Sequence, residues 1–458
     1  MTDAYGFLFR RLLQPAWESG IRRRPTLGRL ESLWRSEWFS PGELEALQLR
    51  ELRNLLDHAV THVPFYRQRF AEVGVRPADV QSLGDLCKLP ELSRTEAAES
   101  LVERQSTAAP FATIHKMTSG TTGHPLEIAY DAGSEWWRDA VKLRGYGWGH
   151  YRPGDRSLHF WGDLAALHHT PLGHQAKVRL DHALRREHFV DCTDRSDEAL
   201  GRVLKVLLDL RPSVLVCYAQ AGAALARFVL ENEAPMPAGM SVICAAERLF
   251  SADRAVLLRA FGPDVFETYG SREVMLIAAE CDAHRGMHVS MENLIVEILV
   301  RDGDRTRPAE PGETGEVAIT DLHNYGAPFI RYLAGDRATA LPAGRCACGR
   351  GLGRLSSVEG RSTDTLRDGR GRPVSGLFFN VMFSVMADRV RQFQVVQRRE
   401  GSIDLFLVPG AGFDDGVVEL IRDNCREFLP GAPLRIHVSS RIPVSAAGKL
   451  AVVRVESG

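Results

Sequence analysis

The sequence predicts an α/β protein: a large, multi-layer N-terminal domain with β-hairpin elements, residues 1–360, and a small α+β C-terminal domain, residues 361–458. Three observations predict it. From about residue 155, strand-like apolar runs alternate with helical ones, the pattern of a parallel or mostly parallel sheet covered by helices. Residues 292–322 hold two strand-like runs around a Gly/Pro/Asp-rich turn, a β-hairpin signature. After Gly360 comes a smaller mixture: QFQVVQRR, SIDLFLVP, a helix at DDGVVELIRDNCREFL, then LRIHVSS.

The elements follow in chain order. The N-terminal run MTDAYGFLFRRLLQPAW carries arginines within its apolar stretch and lacks a signal-peptide cleavage pattern. It reads as a helix packed on the body or as an amphipathic helix on a membrane surface. Residues 43–75 repeat apolar residues at three- and four-residue spacing and read as helical, with Gly74 past the end. SLHFW (157–161), SVLVCY (213–218), MSVICAA (240–246) and DVFETYG (264–270) are strand-like. Residues 199–210, 221–232 and 252–262 between them are helical.

Composition narrows the function. Lys plus Arg number 57 against 58 Asp plus Glu, a net charge of −1, so nothing points to general nucleic-acid binding. No apolar run approaches the ~18 residues of a membrane span. Eight cysteines in 458 residues are not a disulfide scaffold. Cys87, Cys192, Cys217, Cys244 and Cys425 are scattered, mostly among apolar neighbours, as small core residues would be. A cytoplasmic enzyme, monomeric or homodimeric, is expected.

The stretch MTSGTTGHPL, from Met117 to Leu126, crowds Gly, Ser and Thr between KMTS, which can end a strand, and PLEIAYD, which can start one. Glycines let the backbone approach a ligand closely, and successive N–H groups with hydroxyls make an anion nest. No Gly-Lys-Ser/Thr follows, so it is not a Walker A loop. A loop that binds nothing has the same composition.

Five segments in order decide between the two. TSGTTGHP (118–125), ETYGSREV (267–274), FIRYLAGDRA (329–338), VEGRSTD (358–364) and RIPVSAAGKL (441–450) resemble the motifs of the adenylate-forming superfamily. The resemblance implies that Thr118, Ser119, Gly120, Thr121, Thr122 and Gly123 cradle ATP phosphates. Tyr269 would lie near adenine, with Gly270, Ser271, Ala246 and Glu247 completing the nucleotide set. Glu273 would hold Mg2+, Asp336 would accept both ribose hydroxyls, and Arg361 would contact the ribose at the hinge of a mobile small domain. Lys449 would neutralise charge as a carboxylate attacks the α-phosphate. Arg272 places a fixed cation beside the phosphates or the substrate, where a small hydroxyl residue is common in the superfamily.

LLDHAVTHVPFYRQRF (55–70) and RLSSVEGR (354–361) are similar to the phenylacetate–CoA ligase branch. RGYGWGHYRPGDR (144–156), YGSREV and SGLFFNVMF (375–383) are similar to its CapK-like or coenzyme F390 synthetase-like group. The implied activity is ATP-dependent activation of an aromatic or small carboxylic acid as acyl-AMP, then transfer to CoA. Transfer to an amine, a hydroxyl or an inorganic anion, and a degenerate nucleotide-binding scaffold, are the alternatives. Thr363 stands where the branch has an acid, which bears on the hinge and on the transfer step.

Two groups of residues remain. Cys281-x6-His288 and Cys346-Ala-Cys348-Gly offer three sulfurs and an imidazole, a tetrahedral Zn2+ set, with His284 as a substitute fourth ligand. Three buried thiols without metal are the other reading. Tyr146, Trp148, Trp161 and Tyr218 fall where relatives line the acid pocket, with His159 and Asp163 beside Trp161, and the same aromatics also suit an ordinary core.

Overall fold

The computed structural model describes residues 3–456 apart from 109–112, 118–125, 163–171, 193, 304, 357, 359, 362–364, 372, 376–378, 380–381, 384–385, 387–388 and 443–451. The chain forms two compact units. The first holds residues 1–157, 181–187 and 266–359, and the second holds 158–180, 188–265 and 360–458.

In the first unit the predicted helical stretch is two helices, Pro41–His62 and Pro64–Glu72. Pro64 forces the break, because the residue before a proline is pushed out of the helical region, and Val63 is extended at φ −119° and ψ 105°. Ser40 and Glu43 close the N-terminus reciprocally: Ser40 N–H donates to Glu43 Oε2 at 2.7 Å, and Glu43 N–H to Ser40 Oγ at 3.3 Å. The helices bury Leu52, Leu55, Leu56, Ala59, Tyr66 and Phe70 against Ile295 of an antiparallel sheet and against Leu322 and Ile330, which flank two of its strands. That sheet runs Arg305–Pro308, Leu294–Asp302, Thr314–Asp321, Tyr332–Thr339. The expected hairpin of 292–322 thus contains an extra short edge strand, Arg305–Pro308, ending in a proline that an edge tolerates. A second antiparallel meander, Val265–Ser271, Met275–Glu280 and Met287–Val289, packs Ile277, Ala278 and Met287 on Leu294, Val317 and Ile319. The N-terminal helix Ala4–Leu8 and its π-helical continuation Phe9–Leu13 are tied down by Arg10, 2.7 Å from Asp155, and by buried Phe9. Phe7 and Leu12 stay exposed.

In the second unit the alternation is observed as expected. Strands Ser241–Ala245, Val214–Tyr218, Ser157–Trp161 and Glu187–Asp191 lie side by side in that order. The first two are parallel, with Tyr218 opposite Ala245. Helices Asp197–Leu210, Ala219–Glu231 and Ser251–Phe261 bury Val203, Leu207, Leu225 and Leu257 on them. The C-terminal part is a four-stranded sheet in the order Leu434–Val438, Ile403–Pro409, Val390–Gln397, Val453–Val455. Helix Asp415–Phe428 lays Val417, Ile421 and Cys425 on it. Among the described residues no helix is long and apolar enough to cross a membrane.

Candidate active site

Tyr269, Gly270, Ser271 and Glu273 sit at the tip of the hairpin joining Val265–Ser271 to Met275–Glu280. The register slips between Tyr269 and Gly270, which pair with Ala278 and Leu276. At that slip the backbones crowd: a Cβ on Gly270 would lie 2.3 Å from the Met275 carbonyl oxygen, so only glycine fits. Met275 takes φ +68° to close so short a turn. The turn delivers Glu273 into a nearly dry position, 7% exposed.

Asp336 is presented by a second irregularity. Along Tyr332–Thr339, Leu333 pairs with Ala318 and Arg337 with Glu316, so residues 334–336 bulge opposite Val317 alone. Gly335 at φ +76° supplies the turn a bulge needs. The bulge brings Asp336 to the Tyr269 hydroxyl, which donates to its Oδ2 at 2.8 Å. Two motifs 67 residues apart therefore meet side chain to side chain.

Two arginines that the sequence reading missed hold the hairpin tip. Arg138, 2% exposed, donates to the carbonyl of Glu273 at 2.6 Å and of Arg272 at 3.4 Å, and pairs with buried Asp321 at 3.0 Å. Its guanidinium lies 4.1 Å from the Tyr130 ring centre. Arg94 donates to Glu273 Oε1 at 2.8 Å, and the Tyr332 hydroxyl reaches the same oxygen at 3.3 Å. Arg138 carried a faint signal, a charge on the same helical face as Val141 and Trp148. Arg94 carried none. Arg272 donates to the carbonyl of Met117 at 3.1 Å, the last residue before the Gly/Ser/Thr loop. Strands Thr113–Met117 and Glu127–Asp131 pair antiparallel with Met117 opposite Glu127, as the flanking residues suggested.

Several expected residues lie outside the described ones: the whole set Thr118 to Gly123, Asp163, and Lys449. Arg361 belongs to strand Gly360–Arg361, its side chain not among those described. In the second unit, Ala246 at φ +64° centres a γ-turn, with Glu247 N–H donating to the Ala245 carbonyl at 2.8 Å. Such strain in a non-glycine residue is characteristic of functional turns. Glu247 Oε2 accepts the Gln220 N–H at 3.0 Å.

The four residues proposed as zinc ligands converge. The ligating atoms of Cys281, His288, Cys346 and Cys348 all lie within 4.8 Å of one another, and His288 Nε2 is 3.3 Å from Cys348 Sγ. The knuckle is a turn in which Gly349 N–H donates to the Cys346 carbonyl at 2.9 Å. His288 Nδ1 faces the Leu352 carbonyl at 3.3 Å, which places its proton there and turns the Nε2 lone pair to the sulfurs. Burial pushes His288 down to about 4 and the Cys281 thiol up to about 12. Burial also opposes ionisation of Cys348, yet hydrogen bonds from Arg350 hold its thiol below the ordinary value. Three sulfurs and a neutral imidazole with a fixed tautomer fit a tetrahedral ion with no open position. His284 is engaged elsewhere, 3.6 Å from Glu280.

The four aromatic residues expected in the acid pocket separate into two pairs. Trp148 is buried beside the cysteines, edge-on to His288 at 5.5 Å, with its indole N–H donated to Glu37 at 3.1 Å. Tyr146 belongs to the same layer and meets Tyr151 at 6.0 Å. These two pack in the Cys/His layer. Trp161 and Tyr218 form the other pair, edge to face at 4.6 Å at the ends of adjacent strands, and His159 stacks on Phe189 at 4.4 Å.

No protein-family model matches the chain. It is 27% identical over 374 residues to the phenylacetate-coenzyme A ligase of Thermus thermophilus, covering 79% of this chain and 80% of that one. To the phenylacetate-coenzyme A ligase of Aromatoleum evansii it is 28% identical over 359 residues, covering 75% and 76%. Among solved structures, 2-hydroxyisobutyryl-CoA ligase in the postadenylation state matches with a TM-score of 0.72 at 19% identity, over 92% of this chain and 91% of that one. The structural likeness speaks for the fold. In sequence the chain is similar to phenylacetate-coenzyme A ligases, and in fold it is similar to 2-hydroxyisobutyryl-CoA ligase.

Proposed function

We infer that the chain is an ATP-dependent, AMP-forming ligase that joins a carboxylic acid to AMP with release of pyrophosphate and then passes the acyl group to CoA. The observation that carries the reading is the 2.8 Å hydrogen bond from Tyr269 to Asp336, which unites the adenine-side and ribose-side motifs beside Glu273. In this reading Asp336 accepts the ribose hydroxyls and Tyr269 borders the base. The Gly/Ser/Thr loop 118–123 holds the triphosphate, its base tied by Arg272 to the hairpin that carries Glu273.

The barrier is electrostatic, because ATP brings about four negative charges toward an anionic nucleophile, and one well-placed donor is worth ~10²–10³ in rate. Lys449 contributes an ammonium there. Glu273 holds Mg2+, whose contribution is charge neutralisation on the phosphates. The small domain, residues 361–458, turns about 361–364 between the two half-reactions, with Arg361 at the ribose. Ala246 and Glu247 complete the nucleotide set. Trp161 and Tyr218 line the acid side, which suits a flat ring or a small acid. Cys281, His288, Cys346 and Cys348 hold one structural Zn2+. Thiol ligands must stay reduced, which supports a cytoplasmic location.

ATP–pyrophosphate exchange with a panel of aromatic and small acids, with and without CoA, tests the reading. Acid-dependent exchange, and a thioester when CoA is added, is the expected result. Exchange without any thioester redirects the second step to another acceptor. No exchange and no ATP binding would refute the enzymatic reading.

A further inference from the structure

Glu273 is met by donors from two segments distant in sequence. Arg94 Nη1 lies 2.8 Å from its Oε1, the Tyr332 hydroxyl lies 3.3 Å from the same oxygen, and Arg94 also donates to that hydroxyl at 3.3 Å. Among the described residues nothing donates to Oε2. The arrangement is built rather than incidental. Leu92 N–H donates to the Arg331 carbonyl at 3.0 Å, and Leu333 N–H to the Leu92 carbonyl at 2.9 Å, stitching the Arg94 segment to the strand that carries Tyr332 and Asp336. Ser93 and Glu96 then cap the first helical turn reciprocally, with Arg94 at its first position. The carboxylate is 9% exposed and the guanidinium 29%.

In so dry a place the Arg94 charge cancels much of what a divalent cation would feel from Glu273. Mg2+ is commonly held through one or two carboxylates together with substrate phosphates and waters. A carboxylate already neutralised by a guanidinium is a poor ligand alone. With the nucleotide's charge added, the same guanidinium no longer repels a net cation but stabilises a net anion. We propose that Arg94 is a built-in counter-ion that makes the divalent-cation site at Glu273 dependent on nucleotide, so the metal enters with ATP and not before it. Tyr332 is the neutral partner that keeps Oε1 turned to Arg94 and leaves Oε2 for the ion. This deepens the reading given above and rests on Glu273 being the cation ligand of an adenylating enzyme.

The test uses the full-length protein and Mn2+ as probe, with free Mn2+ followed by electron paramagnetic resonance. The Glu273→Gln protein supplies the blank for other sites. Without nucleotide the wild type should bind Mn2+ weakly at Glu273, and Arg94→Gln should tighten that binding about tenfold or more. Arg94→Met carries the same expectation and keeps the apolar stem should Arg94→Gln fold poorly. Arg94→Lys keeps the charge and should stay near the wild-type value, as should Tyr332→Phe, which removes only a neutral donor. Nucleotide-free Mn2+ binding no tighter in Arg94→Gln and Arg94→Met than in wild type would overturn the proposal. So would Arg94→Lys behaving like Arg94→Gln, since charge would then not be the agent. ATP binding by the wild type is measured in parallel. Its absence overturns the adenylating reading itself, whereas ATP binding with Mn2+ affinity indifferent to Arg94 overturns the counter-ion role alone.

Discussion

Replacing Arg138 by Met keeps most of the side-chain volume and removes one charge from the interior. Arg138 is 2% exposed and its partner Asp321 is fully buried, with 3.0 Å between guanidinium and carboxylate. The variant leaves Asp321 with the His323 N–H at 3.3 Å, and leaves the Glu273 carbonyl without its 2.6 Å donor. Breaking one side of a buried ion pair costs about 3–5 kcal/mol, far above the ~0–1 kcal/mol of a surface pair. That range is the expected loss. Burial already holds the Asp321 carboxyl above its ordinary range, and Arg138 opposes the shift. A carboxyl whose folded pKa is raised favours folding in acid, and that contribution is lost as pH rises through the folded pKa. Removing Arg138 raises the pKa further. The variant's deficit should therefore be small in acid and grow toward neutral pH. Urea unfolding of both proteins at about pH 5 and about pH 8 measures this. Arg138→Met with Asp321→Asn should recover most of the loss. A deficit under about 1 kcal/mol, one independent of pH, or one the second substitution does not relieve would refute the reasoning.

Other expectations are shorter. Purified protein should carry about one zinc per chain, and Cys348→Ser should lose it and melt at lower temperature; a metal-free chain of full stability would count against the site. Gly270→Ala puts a Cβ 2.3 Å from the Met275 carbonyl oxygen, which cannot retreat as a side chain would. It should cost about 1–3 kcal/mol and weaken ATP binding, and an unchanged melt would contradict the crowding described at the hairpin. Lys449→Ala should nearly abolish adenylate formation yet spare transfer from a supplied acyl-adenylate; equal loss in both half-reactions would disprove its assigned role.

What the sequence disclosed depended on whether the cause was local. Strands Ser157–Trp161, Val214–Tyr218 and Ser241–Ala245 and helices Asp197–Leu210 and Ala219–Glu231 are legible because each is fixed by its own apolar period, whereas helix Leu172–Arg185 and strand Glu187–Asp191 went unread. The strand Arg305–Pro308 was hidden because it is polar and gains its partner only from Leu294–Asp302. The helical reading of 43–75 did not place the break at Pro64, a local signal that periodicity outweighed. In the site, Tyr269, Glu273 and Asp336 were legible through short motifs, and the cysteine set through its spacing. Arg94 and Arg138 were not, since they act on a turn 179 and 135 residues away. Nothing in a lone arginine says which carboxylate will be buried beside it. The partner of Trp148 was hidden for the same reason: Glu37, which accepts its indole N–H, lies 111 residues earlier.

The Cys/His set also has a reach beyond its own layer. Its two halves stand at either end of the excursion from His288 to Cys346, and that excursion contains Tyr332 and Asp336. An ion there would be a clasp, shortening the span the chain must search before those residues meet the hairpin, since closing a long loop carries an entropic cost. Protein produced under zinc scarcity would then contain every nucleotide-binding residue and still assemble its ribose reader poorly. Differences in specific activity between preparations would track metal supply before they tracked anything about the acid.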